Sequence, residues 1–110
     1  MRLAGCVRRC HMTELLSTEA IHAALAAHPA WAYEEGALRR SLRFADFSTA
    51  LAFLVRVGIE AEKANHHPEL TNVYARVDVA LTTHDAGGVT DKDVALAQRI
   101  DEIAATMTAK

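Results

Sequence analysis

The sequence predicts a single α+β domain, and three observations carry that prediction. Apolar residues recur at helical spacing in three stretches and alternate with polar ones in two others. The clearer alternating stretch is apolar on one face alone, as in an antiparallel sheet covered by helices on one side. The chain has 110 residues, enough for one core but not for two. Hydrophobic residues make up 51% and charged residues 24%, with five glycines and two prolines, a globular composition without repeats or low-complexity segments.

Leu16-Ser17-Thr18-Glu19 reads as a helix start, with Ser17 as N-cap and Leu16 stapled against Ile21. Ile21, Ala24, Leu25 and His28 continue at helical spacing, and Pro29 ends the helix by residue 28 because the residue before a proline avoids the α region. Trp31 is expected to plug an edge of the core. From Ala32 to Phe44 the period becomes two, with Glu35-Gly36 as the turn between two short extended pieces. Leu38, Leu42 and Phe44 share one face, and Arg39, Ser41 and Arg43 the other. Arg40 interrupts the apolar face and is expected to snorkel at the sheet edge.

Asp46 to about Asn65 is the strongest helical pattern, capped by Asp46 or Ser48, with Phe47, Leu51, Leu54, Gly58 and Ala61 as its apolar stripe. A mid-helix glycine costs about 1 kcal/mol relative to alanine, so Gly58 predicts a close packing contact. After Pro68 alternation resumes through Val73, Val77, Val79 and Leu81. One long strand fits this pattern, and so does a hairpin turning near Tyr74-Ala75-Arg76. A glycine-rich loop, residues 83–89, leads to a last helix capped by Thr90, with Asp93 at the capping-box position and Val94, Ala97, Ile100, Ala104 and Met107 as its stripe. Gly87-Gly88 lacks the lysine and spacing of a phosphate loop, and Asp91 and Asp93 would repel an anion there.

The only cysteines, Cys6 and Cys10, lie with His11 outside every structural pattern, so neither a disulfide framework nor a complete zinc site is expected. Met12-Thr13-Glu14 makes a natural start. Residues 1–12 are therefore read as a disordered or non-native extension and residues 13–110 as the domain. Arg2, Arg8 and Arg9 are not followed by the apolar run of a signal peptide, and no window is long enough for a membrane span. Twelve Lys and Arg against fourteen Asp and Glu give a net charge of −2, which advertises neither a nucleic-acid nor a membrane surface. The expected location is the cytoplasm, and the expected partners are small and roughly neutral.

The chemistry-bearing stretch is Glu62-Lys63-Ala64-Asn65-His66-His67-Pro68, read with Tyr74 and Thr83-His84-Asp85. Pro68 ends the helix at or before His66. A helix reaching His66 would put Glu62 and His66 on one face, four residues apart, and turn His67 elsewhere. Imidazole titrates near about pH 6.5 and both gives and accepts protons, so His66, His67 and His84 make a candidate acid–base set. A tri-histidine zinc site fits the same residues, and so does simple capping of a helix C-terminus.

The run Glu62-x-x-x-His66-His67-Pro68, followed by Tyr74, Thr83-His84 and Asp93, resembles the signature of the pterin-4a-carbinolamine dehydratase family. The resemblance extends over roughly residues 15–108 and takes in Leu16 to Glu19, Trp31, Phe44 with Phe47, and Thr-His-Asp-Ala-Gly-Gly at 83–88. Ala30 stands where such proteins usually carry a glycine before the tryptophan. The resemblance implies helices on one face of a four-stranded antiparallel sheet, in the order α-β-β-α-β-β-α, and favours the hairpin after Pro68. It implies dehydration of a 4a-hydroxytetrahydropterin to the quinonoid dihydropterin, in support of pterin recycling, without metal or bound cofactor. By the family's pattern His66, His67 and His84 are catalytic, while Glu62, Pro68, Thr83 and Asp85 bind the pterin substrate. A homodimer or homotetramer is implied as well. The alternative implied by the family is a protein-interaction module acting as a dimerisation cofactor.

Overall fold

The computed structural model describes residues 14–107; Cys6, Cys10, His11 and the expected N-terminal extension lie outside the described residues. The elements run α1 (Thr18–Ala27), β1 (Ala32–Glu34), β2 (Ala37–Arg43), α2 (Phe47–Ala64), β3 (Glu69–Val73), β4 (Arg76–Leu81), a short 3-10 turn (His84–Ala86) and α3 (Asp91–Thr106). The four strands form one antiparallel sheet in the order β1-β2-β4-β3. The α+β class and the α-β-β-α-β-β-α order are those expected.

Local signals account for most boundaries. The Ser17 hydroxyl accepts the Ala20 N–H at 3.0 Å and opens α1, and Asp46, rather than Ser48, accepts the Thr49 N–H at 2.8 Å and opens α2. Glu35 and Gly36 join β1 to β2 with φ of 53° and 76°, the positive values that a two-residue hairpin turn requires. After Pro68 the chain forms a hairpin, not one long strand, turning at Tyr74-Ala75 with Tyr74 at φ 52°. The Asn72 side-chain amide braces that turn by donating to the carbonyls of Tyr74 and Arg76.

Alternation then decides the layers. Leu38 and Leu42 of β2 and Val77, Val79 and Leu81 of β4 point to one face and join Phe53, Val57, Leu96, Ile100 and Ile103 from α2 and α3 in a single core. Phe44, just past β2, stacks on Phe53 with ring centroids 4.8 Å apart. The other face carries Ser41 opposite Asp78, with the hydroxyl donating to the carboxylate at 2.6 Å. Among the described residues no helix is long and apolar enough to cross a membrane.

Three expectations are corrected by packing. The buried face of α2 is Ala50, Phe53, Val57 and Ala61, whereas Phe47 and Leu51 of the predicted stripe are about half exposed, at 46% and 47%. This helix is apolar on two faces, and spacing alone does not say which one meets the sheet. Gly58 makes no close contact: a Cβ built there would meet nothing within 4 Å. Arg40 does not snorkel at the edge. Its side chain is 14% exposed and pairs with Asp101 of α3, which also accepts the Trp31 Nε1–H at 2.8 Å.

Candidate active site

The end of α2 positions the first two histidines. Asn65 adopts left-handed backbone at φ 53°, the Asn65 N–H bonds the Glu62 carbonyl at 3.1 Å, and the His66 N–H bonds the Ala61 carbonyl at 3.0 Å. This pair of bonds is a Schellman motif, so α2 stops before His66. The helix stops short of His66, as the proline predicts, so Glu62 and His66 do not share a helix face. The left-handed residue swings His66 inward, where it is 8% exposed, and leaves His67 outside. It is His67 that meets Glu62, with Nε2 2.9 Å from Oε1, both side chains being largely exposed at 60% and 79%.

His66 has a different partner. Its Nε2 lies 2.6 Å from Oδ1 of Asp93, which is fully buried at the start of α3. A buried carboxylate is tolerable only when hydrogen-bonded. Asp93 Oδ2 accepts the Thr83 hydroxyl at 2.8 Å and the Thr90 N–H at 2.8 Å. The Thr90 bond is half of the capping box that opens α3. One carboxylate thus caps a helix and anchors a histidine. Sequence reasoning placed Asp93 in the capping box and in the family signature but not in the site. No local signal marks it as buried, because a capping-box aspartate ordinarily faces water.

Thr83 has its hydroxyl turned into the interior. It is 6% exposed, and its hydroxyl is engaged by Asp93 and, at 2.7 Å, by Thr90. Its backbone clamps the next loop: Thr83 N–H bonds the Gly88 carbonyl at 2.8 Å, and Gly87 closes the 3-10 turn at φ 80°. His84 and Asp85 sit on this excursion, both exposed. Among the described residues no side-chain hydrogen bond ties His84 to another residue.

Sheet register brings these segments to one end of the molecule. Glu69 at the start of β3 pairs with Ala80 near the end of β4, so His67-Pro68 and Thr83-His84 flank the same edge of the sheet. Half-buried Pro68 makes the turn into β3. Tyr74 is elsewhere. It lies at the hairpin tip, 69% exposed, about 16 Å away by the length of β3 at ~3.3 Å per residue.

A cavity of ≈ 380 Å³ opens beside His66 between α2 and α3, with Ala64, Ala95 and Leu96 as apolar lining and Glu60, Lys63, Lys92 and Arg99 as charged lining. Arg99 bonds Glu60 at 3.1 Å, which holds the Glu60 carboxyl below its ordinary value and raises the already high value of Arg99. A larger groove of ≈ 680 Å³ lies on the open face of the sheet, among Arg39, Ser41, Thr71, Arg76 and Asp78, and includes no histidine. Among the described residues no three His, Cys, Asp or Glu side chains converge as metal ligands would.

Residues 14–103 match the family described as pterin 4 alpha carbinolamine dehydratase. Two similar proteins are provisionally named pterin-4-alpha-carbinolamine dehydratases. That of Rhizorhabdus wittichii is 52% identical over 93 residues, covering 83% of this chain and 96% of its own. That of Burkholderia ambifaria is 49% identical over 96 residues, covering 86% and 94%. A solved structure from Brucella melitensis, titled transcriptional coactivator/pterin dehydratase, superposes with a TM-score of 0.79 at 42% identity, over 81% of this chain and 97% of the other.

Proposed function

The chain belongs to the pterin 4 alpha carbinolamine dehydratase family, and from that membership we propose that it removes water from a 4a-hydroxytetrahydropterin of the tetrahydrobiopterin type by histidine acid–base catalysis in the cytoplasm. The C4a–O bond breaks with its electron pair on oxygen, which takes up a proton and leaves as water. The N5 lone pair forms the C4a=N5 bond, and N5 gives its proton to a base. One proton is delivered and one removed, and the step is redox-neutral. A histidinium and a neutral imidazole supply both functions.

The observation that carries this reading is the unequal setting of two adjacent histidines. His66 is sealed against a buried carboxylate, while His67 stands in solvent beside Glu62. One ring is held in a fixed orientation and the other is open to solvent, which suits them to different proton-transfer roles. In this assignment His66, His67 and His84 move protons, Glu62 orients His67, and Pro68 and Asp85 line the substrate. Thr83 supports Asp93. The test is an assay with 4a-hydroxytetrahydropterin generated in situ, and no acceleration over buffer would overturn the reading. Activity that disappears with chelator and returns with zinc would replace it with a metal mechanism.

A second reading rests on the outer face of α2. Phe47, Leu51, Val55 and Ile59 form an i, i+4 ridge, each 46–56% exposed. We assign this ridge to self-association as a homodimer or homotetramer, because exposed apolar stripes of this length mark contact surfaces. Size-exclusion chromatography with light scattering should give a multiple of 12.0 kDa, reduced by Val55→Lys. A monomer at all concentrations removes the assignment. A partner protein retained by a chain lacking all three site histidines would establish an interaction role separate from catalysis.

A further inference from the structure

We propose that Thr83 and Thr90 act through Asp93 to hold His66 as the Nε2–H tautomer, so that His66 meets the substrate through Nδ1 as a proton acceptor. This rests on the dehydratase reading, but its structural half can be tested without any substrate.

The hydrogen-bond chain has only one consistent direction. Thr90 Oγ1 accepts the Lys92 N–H at 3.2 Å, and Thr83 Oγ1 lies 2.7 Å from Thr90 Oγ1 and 2.8 Å from Asp93 Oδ2. Each hydroxyl has a single proton to donate. Thr83 donates to Asp93, so Thr90 donates to Thr83. Oδ2 also receives the Thr90 N–H at 2.8 Å, so two donors already occupy that oxygen. Oδ1 is then left as a pure acceptor 2.6 Å from His66 Nε2. One proton must lie between them, and it belongs on the imidazole, intrinsically the more basic partner.

Nε2 is therefore committed, and Nδ1 is the only ring nitrogen open to a ligand. Among the described residues Nδ1 has no hydrogen-bond partner, although the side chain is only 9% exposed, and His66 is one of the residues lining the ≈ 380 Å³ cavity. In the dehydration the proton released by N5 passes to Nδ1, and the imidazolium so formed is stabilised by Asp93. Proton delivery to the departing hydroxyl falls to exposed His67 or His84. Asp93, Thr83 and Thr90 are positioning residues: they touch His66, not the substrate.

The experiment uses ¹⁵N NMR of the histidine rings together with kinetics. Wild type should show His66 with Nε2 protonated and Nδ1 bare. In Asp93→Asn the carboxamide oxygen keeps the Thr83 and Thr90 donors and turns its NH2 toward Nε2. The tautomer should then invert, and kcat should fall about 10²- to 10⁴-fold with little change in KM. Thr83→Val should give mixed tautomers and a smaller loss, both restored by Thr83→Ser, which provides the answer if the Asn variant does not fold. An Nδ1–H ring in wild type, an uninverted tautomer in Asp93→Asn, or inversion without loss of kcat would each overturn the proposal. Thr83→Val indistinguishable from wild type in both readouts would do the same. If wild type shows the expected ring pattern but no dehydratase activity, the reaction assignment falls and the tautomer assignment stands.

Discussion

Asp101→Asn should loosen the docking of α3 on the sheet. Asp101 accepts from Trp31 Nε1 at 2.8 Å and pairs with Arg40, and its second oxygen lies 3.7 Å from His28 Nδ1. Arg40 is 14% exposed and stands on the apolar face of β2, so removing its counter-charge leaves a guanidinium largely out of water. Breaking a fully buried pair costs about 3–5 kcal/mol. Asp101 retains 27% exposure, and asparagine can still accept from Trp31, so water and the amide recover part of that cost. The expected loss is about 2–3 kcal/mol, or about 10–20 °C in Tm at this chain length. Urea unfolding should be followed by circular dichroism and by the fluorescence of Trp31, the sole tryptophan. The midpoint should fall with an unchanged m-value, and the native emission of Trp31 should shift. Arg40→Met combined with Asp101→Asn should recover part of the stability, since the stranded guanidinium is gone while the amide oxygen still accepts from Trp31 Nε1. Losses below about 0.5 kcal/mol for both Asp101→Asn and Arg40→Met, as for exposed pairs, would refute the reasoning and return Arg40 to the sheet edge.

Single alanine substitutions of His67 and His84 should lower dehydratase turnover by about 10²- to 10⁴-fold at unchanged Tm, because both side chains are exposed; wild-type turnover in both would sink their assignment. His66→Ala should lose both activity and stability, since it strands the buried Asp93 carboxylate, and a Tm equal to wild type would contradict the dyad. Thr49 bonding holds the Asp46 carboxyl below its ordinary value, so Asp46 contributes stability that is present above the unfolded-state value and lost as pH falls through the folded one. Asp46→Asn keeps the cap without the titration and should flatten the acid limb of a Tm-against-pH curve. Gly58→Ala should stabilise α2 by about 0.5–1 kcal/mol, because the helix gains rigidity and the methyl meets open space; a lowered Tm would show that something packs there.

The features legible in the sequence were those built from neighbouring residues. Ser17, the Glu35-Gly36 turn, the Thr90-x-x-Asp93 box and the break before Pro68 each involve atoms within four residues of one another, so composition and spacing contain them. The histidine stretch was legible as chemistry for the same reason. What failed depended on choices that periodicity leaves open. An α2 that is apolar on two faces does not declare which one the sheet covers. Asn65 could not be seen to take left-handed backbone, so spacing alone does not say which of the two histidines meets Glu62.

By itself, then, the sequence determined the class of fold, the order of its elements and the stretch that carries the histidines. Only the tertiary structure decided that His66 is anchored by Asp93, 27 residues away, that Arg40 is matched by Asp101, 61 residues away, and that Tyr74 stands at the far end of the β3–β4 hairpin. Caps and turns are local minima of a short chain. A buried carboxylate finds its histidine only after strand register and helix docking have set both in place.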